Sequence, residues 1–272
     1  MHPVLIEIGP VPIHSYGFML MLSFLFGIWL TAARASKYGI KKEHVTDLAF
    51  YIIIAVIIGA RGYYVLLHYK EFIDNPGAIF NPLQNGKLVG IGGLVMLGGV
   101  ILGAAAGFLF VYLKKIPSLI MADSAAPAIA SGVFLTRIGC FLNGCCWGVH
   151  TKSFLGVSFP ASCPAGAVSG GAPVFPTQLF SSFNGLLIFI ILLWAEKRWK
   201  TFHGFTFLLF LMLYSIHRFF IDYIRYYPEC ETFFGMTHNQ IILLLTFSVS
   251  LGLFLKLRKK EIQVPVQNNT PE

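Results

Sequence analysis

Charge is what this sequence has least of. Only 12% of its 272 residues are Asp, Glu, Lys or Arg, whereas 56% are hydrophobic and the mean hydropathy is +0.71. A soluble domain carries roughly 25% charged residues, so this chain lacks the means to cover its own surface in water, and lipid must solvate much of it. A basic stripe is missing as well. The net charge is +8, but the basic residues sit in short clusters between apolar runs, which argues against nucleic acid as a partner and for membrane topology. The first fifteen residues have no Lys or Arg and include Pro3, Pro10 and Pro12. A removable signal peptide is therefore not expected, and the first apolar run is predicted to stay as a helix. There is no internal repeat and no Cys-x-x-Cys pair. These absences weigh against an anion transporter built from two related halves and against a thiol redox protein.

What is present is a series of apolar runs long enough to cross a hydrocarbon core, which takes about 17–25 helical residues. Seven are predicted, near Tyr16–Ala33, Asp47–His68, Val89–Leu113, Leu119–Leu142, Thr177–Ala195, Gly204–Tyr223 and Gln240–Leu257. Asp123, Pro127 and Arg137 interrupt the fourth. Thirteen Lys and Arg follow the first, third, fifth and seventh runs, against four in the alternate loops. The positive-inside rule then puts the amino terminus outside and the carboxyl terminus in the cytoplasm. The expectation is an all-α integral membrane protein with seven transmembrane helices, forming a single domain over residues 1–262. A small outer-face cap over 144–175 and a polar, disordered tail over 263–272 complete it.

Five charges stand where lipid would exclude them: Arg61, Arg137, Arg218, Asp123 and Asp222. An arginine at the bilayer centre costs about 2.5–3.5 kcal/mol on insertion scales, so such residues face a partner or a cavity. By the predicted topology all three arginines lie toward the outer ends of their helices. Guanidinium groups at that depth suit a phosphate, whose oxygens the planar fork binds in pairs. Asp222 follows Arg218 by four and precedes Arg225 by three, which places all three on one helical face. Glycines at 90, 92, 93, 98, 99, 103 and 107 predict close helix packing along the third run.

The densest motif is Arg137-Ile-Gly-Cys140-Phe-Leu-Asn143-Gly-Cys-Cys146-Trp-Gly148. Here glycines free the backbone to turn, while Arg137 and Asn143 offer donors to an anion. With Gly59-Ala60-Arg61-Gly62, Ile13-His14-Ser15-Tyr16-Gly17, Val157-Ser158-Phe159-Pro160, Pro176-Thr177-Gln178 and Arg218-Phe219 in this order, the chain resembles the prolipoprotein diacylglyceryl transferases. The resemblance implies a multi-pass enzyme of the bacterial inner membrane. Such an enzyme transfers diacylglyceryl from phosphatidylglycerol to the lipobox cysteine of prolipoprotein signal peptides, forms a thioether, releases glycerol phosphate and uses no metal or other cofactor. It also implies catalytic roles for Arg137, Arg218 and Tyr16, and lipid recognition by Arg137, Arg218, Asn143, Gly148, Arg61, Arg225 and Asp222. Asp222 stands where the family usually has glutamate. Leu97 stands where it commonly has a histidine, which leaves the base vacant; His14 is the substitute singled out, with Tyr16 and Asp222 as others. A phospholipid-binding relative without catalysis is the alternative that Leu97 raises.

Cys140, Cys145, Cys146, Cys163 and Cys230 are all expected on the outer side. Structural or disulfide use is the expectation for them, with Cys163 as a partner for Cys145 or Cys146. Their spacing is not a standard zinc pattern.

Overall fold

The computed structural model describes residues 1–8, 11–73, 77, 83–84, 87–88, 95–227, 232–233 and 235–262. Among the described residues, six helices are long and apolar enough to cross a membrane: α1 (Ser15–Ala35), α2 (Lys42–Leu67), α5 (Ser118–Asn143), α7 (Thr177–Trp199), α8 (Phe205–Ile224) and α9 (His238–Ile262). Between α2 and α5 lie the five-residue α3 (Tyr69–Ile73) and α4 (Met96–Leu113), whose apolar stretch is shorter than the other six. The predicted third run thus contributes a helix from Met96 onward, and residues 89–94, with their glycines, lie outside the described residues. So do Cys230 and 263–272.

The fourth run is continuous in spite of its interruptions. Pro127 sits inside α5, and a membrane helix tolerates the missing N–H where neighbouring groups resatisfy the backbone. Asp123 is fully buried but fully used. Its Oδ2 accepts from the Gly204 amide at 2.9 Å and its Oδ1 from Phe207 at 3.0 Å, with Lys200 Nζ 3.1 Å away. The α8 amino terminus has no capping side chain of its own. A carboxylate on α5 supplies the acceptor that the orphan amides need.

Short antiparallel hairpins add to the all-α expectation. They are β1 (Val4–Ile8) with β2 (Val11–His14), β3 (Leu83–Gln84) with β4 (Lys87–Leu88), and β5 (Thr232–Phe233) with β6 (Met236–Thr237).

The chain forms two compact units, Ala32–Met121 and Met1–Thr31 with Ala122–Glu272. In the first, α2 and α4 touch backbone to backbone. A Cβ on Gly98 would collide with the Gly59 carbonyl and Tyr63 Cβ, and one on Gly103 would come within 2.6 Å of Val56 Cγ2. In the second, α1 lies on α5 through small residues: a Cβ at Gly132 would meet Ser23 Oγ at 3.1 Å, and one at Gly139 would meet Tyr16 Cα at 3.3 Å. Ala126 and Ala130 of α5 pack with Ile188 and Leu192 of α7 and Phe210 of α8.

The 144–175 segment is organised rather than loose. It contains α6 (Pro164–Ser169), and Phe159, Cys163, Ala165 and Val174 form a cluster with Phe141 and Trp147.

Candidate functional site

The site grows from the ends of α5 and α8. On α8, Arg218 Nη1 lies 2.7 Å from Asp222 Oδ1, one turn on, and the Asp222 side chain is wholly buried. Nη1 itself is buried with no aligned hydrogen-bond acceptor, so the pair meets by charge at that atom. Alignment comes through Tyr227. Arg218 Nη2 donates to its hydroxyl at 3.0 Å, and that hydroxyl donates to Asp222 Oδ1 at 2.7 Å. The second carboxylate oxygen accepts from Thr237 Oγ1 at 2.9 Å. Thr237 and Gln240 in turn cap α9 reciprocally: the Thr237 amide donates to Gln240 Oε1 at 2.9 Å and the Gln240 amide to Thr237 Oγ1 at 3.2 Å. This is a capping box with glutamine in the third helical position. A carboxylate in lipid must have partners, and here those partners also hold Arg218 in one direction and tie the start of α9 to the end of α8.

Arg225 departs from the expected shared face. The helix ends at Ile224, and Arg225 takes an extended conformation with φ −83 and ψ 139. It forms a bridge with Gly148, and its guanidinium lies 5.4 Å from the Tyr227 ring centroid. Helical spacing placed Arg225 beside Arg218 and Asp222. The helix stops one residue too early for that, and Tyr227 takes the position instead.

At the end of α5 the chain closes in a left-handed turn. Gly144 has φ 70 and donates to Phe141 O at 3.1 Å, while the Cys145 amide donates to Cys140 O at 3.0 Å. These two bonds make a Schellman closure, which brings the residue two past the cap over the last helical turn. Cys146 then has φ 64, a left-handed conformation that a non-glycine residue adopts only under constraint. The constraint is visible. Gln178 Nε2 donates to Cys145 O at 2.8 Å and Thr177 Oγ1 to Cys146 O at 2.7 Å, and both side chains are buried. The sulfurs of Cys140, Cys145 and Cys146 all lie within 4.8 Å of one another.

The Arg137 guanidinium lies against the Cys146 thiol, within electrostatic reach of Tyr214. Hydrogen bonds from the Cys140 and Cys145 thiols, with the Arg225 and Arg137 charges behind them, hold the Cys146 thiol below the ordinary thiol range. The Asn143 amide adjoins the Cys145 thiol. All four described cysteines are free thiols, so the pairing expected between Cys163 and Cys145 or Cys146 is not made. Cys163 Sγ lies 3.1 Å from Pro160 O instead.

Gly148 is closely enclosed by backbone. Its amide is taken by Phe175 O at 2.8 Å, and a Cβ there would lie 2.5 Å from Ile224 O. It is a glycine because two backbones close on it, and its effect on the site is to seat Arg225.

His217 lies on α8 beside Arg218 in sequence. It lies in the field of Arg218 and of Arg137, and its Nε2 is 3.4 Å from Ser181 Oγ. It also borders a largely apolar groove of about 570 Å³ between α7 and α8, lined by Phe180, Phe183, Leu187, Phe220 and Ile224. Tyr16, at the start of α1, is within electrostatic reach of Arg137 and the three thiols. His14 is an exposed residue closing β2. Arg61 belongs to the Ala32–Met121 unit, where its guanidinium lies 5.4 Å from the Tyr64 and Phe72 rings. Leu97 is an exposed residue of α4 in the same unit.

Sequence reasoning missed Tyr227 as the element that aligns Arg218. The spacing Thr237-x-x-Gln240 carried a capping-box signal; Tyr227, beyond the helix end, carried none.

The family model for prolipoprotein diacylglyceryl transferase matches residues 3–256. A protein of Clostridium perfringens called phosphatidylglycerol–prolipoprotein diacylglyceryl transferase 2 is 34% identical over 84% of this chain and 85% of its own. Proteins called phosphatidylglycerol–prolipoprotein diacylglyceryl transferase from Clostridium tetani and Francisella tularensis are each 33% identical. The first covers 94% of this chain and 96% of its own length, the second 96% of both.

Proposed function

The chain belongs to the prolipoprotein diacylglyceryl transferase family, and from that premise we propose that it transfers diacylglyceryl from phosphatidylglycerol to the lipobox cysteine of prolipoproteins. The thiol proton passes to a base, for which His14 is the candidate, and the sulfur attacks the glyceryl carbon that bears the phosphate. A carbon–sulfur bond forms, the carbon–oxygen bond breaks, and glycerol phosphate leaves with the bonding pair. The difficulty lies in the negative charge of that phosphodiester, and preorganised donors aimed at it are the largest available help.

One observation carries the reading. Arg218 is mostly buried and aligned by Asp222 and Tyr227, and the field at His217 is shared by Arg218 and Arg137. Two guanidinium charges that act on the same region suit a phosphate. In this arrangement Arg137 and Arg218 hold the phosphate, Asp222 and Tyr227 aim Arg218, Gly148 seats Arg225, and Asn143 adjoins the same turn. The apolar groove between α7 and α8 is of the size that small ligands occupy, about 300–1,000 Å³, and takes acyl chain. Tyr16 faces this constellation from α1. Arg61 is assigned to lipid recognition by its motif, and His14 is the candidate base because it stands beside Tyr16. Seven membrane passes, with α4 as the third, and an amino terminus outside the bacterial inner membrane complete the proposal.

The test is release of glycerol phosphate by the purified protein, given phosphatidylglycerol and a lipobox peptide. Release that requires both the peptide thiol and Arg137 supports the transferase. Leu97 cannot accept a proton, and this favours a second reading: a relative that binds phospholipid without transfer. That reading predicts phosphatidylglycerol binding with no release.

A further inference from the structure

The three thiols at the end of α5 have no part in the transfer reaction as drawn above, yet they occupy its most constrained turn. The Schellman closure sets Cys145 over Cys140. The left-handed backbone at Cys146 brings the third sulfur back toward the first two. Two buried side chains, Thr177 and Gln178, hold the carbonyls of Cys145 and Cys146 and so preserve a conformation that a non-glycine residue resists. A turn needed only to end a helix is satisfied by Gly144 and does not require strain at the next residue but one.

We propose that Cys140, Cys145 and Cys146 form a three-coordinate site for a soft monovalent d¹⁰ cation, and that copper(I) is the ion it takes. Three thiolates around one ion at about 2.3 Å lie roughly 4 Å apart, and the sulfurs here are all within 4.8 Å of one another. Thiolates select soft ions such as copper(I). Zinc almost always requires four ligands, and among the described residues no histidine or carboxylate joins this group. Binding releases the thiol protons as sulfur–copper bonds form. The loaded site, three thiolates and one copper(I), carries a charge of −2; Arg137, against the Cys146 thiol, and Arg225, within electrostatic reach of it, offset that charge. The inference is independent of whether the chain transfers lipid.

The experiment uses the full chain in detergent with Cys163→Ser and Cys230→Ser, reduced and free of oxygen, so that only the three thiols remain. Copper(I) is supplied as its acetonitrile complex against a bicinchoninate competitor. The expected result is one copper(I) per chain, with three sulfur neighbours at about 2.3 Å by X-ray absorption. Cys140→Ser, Cys145→Ser and Cys146→Ser should each weaken binding by about 100-fold or more. Cys146→Gly guards against a folding artefact, because glycine accepts φ 64 without strain. It should melt no lower than its parent and still fail to hold copper. Retention of tight copper by Cys146→Gly, no binding by the folded parent, or one zinc ion with a fourth oxygen ligand in preference to copper(I) would each overturn the proposal.

Discussion

The two units pack their helices by opposite means. In Ala32–Met121, α2 and α4 approach through glycine, with the Gly59 and Gly98 backbones in contact and Gly103 against Val56. Among the described residues, no buried carboxylate takes part in that contact. In the other unit the helix ends are joined by buried polar groups: Asp123 caps α8 from α5, and Asp222 gathers Arg218, Tyr227 and Thr237. Lipid gives apolar helices no hydrophobic reason to associate, so either small residues must admit close van der Waals contact or hydrogen bonds must join them. The first solution tolerates no added volume. The second tolerates no lost partner, but it can aim a charge, and the candidate phosphate-binding arginines are found in the unit that uses it.

The strongest test of this contrast is Asp222→Ala. Leaving Arg218 without its carboxylate should destabilise the protein by about 3–5 kcal/mol and abolish glycerol phosphate release, whereas Asp222→Glu should restore both. Arg137→Ala should next lower the rate by about 10²–10³-fold and leave the melting temperature nearly unchanged, because among the described residues no carboxylate is paired with it in the way Asp222 is with Arg218. If Arg137→Ala melts the protein as severely as Asp222→Ala does, the division between packing and chemistry within this unit is wrong. Gly98→Ala carries the comparison to the other unit. Its methyl meets the Gly59 carbonyl and Tyr63 Cβ, so a loss of about 1–3 kcal/mol is expected in thermal unfolding. A neutral result would mean that the glycine contact is looser than described. The smallest effect belongs to Thr237→Ala, which removes a helix cap and one Asp222 partner; about 1 kcal/mol should be lost, visible as a modest drop in melting temperature.

Helix identity was readable along most of the chain because in lipid the signal is composition over some twenty residues, and that survives any tertiary arrangement. The α5 run shows where it weakens. Asp123 and Pro127 looked like breaks, yet Asp123 is satisfied by amides 81 and 84 positions away, a separation that no local window contains. Arg225 shows the converse. Its spacing from Arg218 and Asp222 fitted one helical face, but spacing does not reveal where a helix ends, and the chain turned at Ile224. Gly148 was expected near the lipid because the family resemblance placed it there. Contact with Phe175 and Ile224 takes up its amide and its space.

The sequence by itself determined the solvent, the apolar segments, the family, and the residue types present for phosphate chemistry. Those properties follow from what each residue is and how far along the chain it stands. Only the tertiary structure decided that Tyr227 aligns Arg218, that Thr177 and Gln178 hold the turn at Cys146, and that three thiols meet while Cys163 does not join them. Each of these depends on angles between groups on different elements, and a hydrogen bond or a metal ligand is won or lost over distances of less than an ångström.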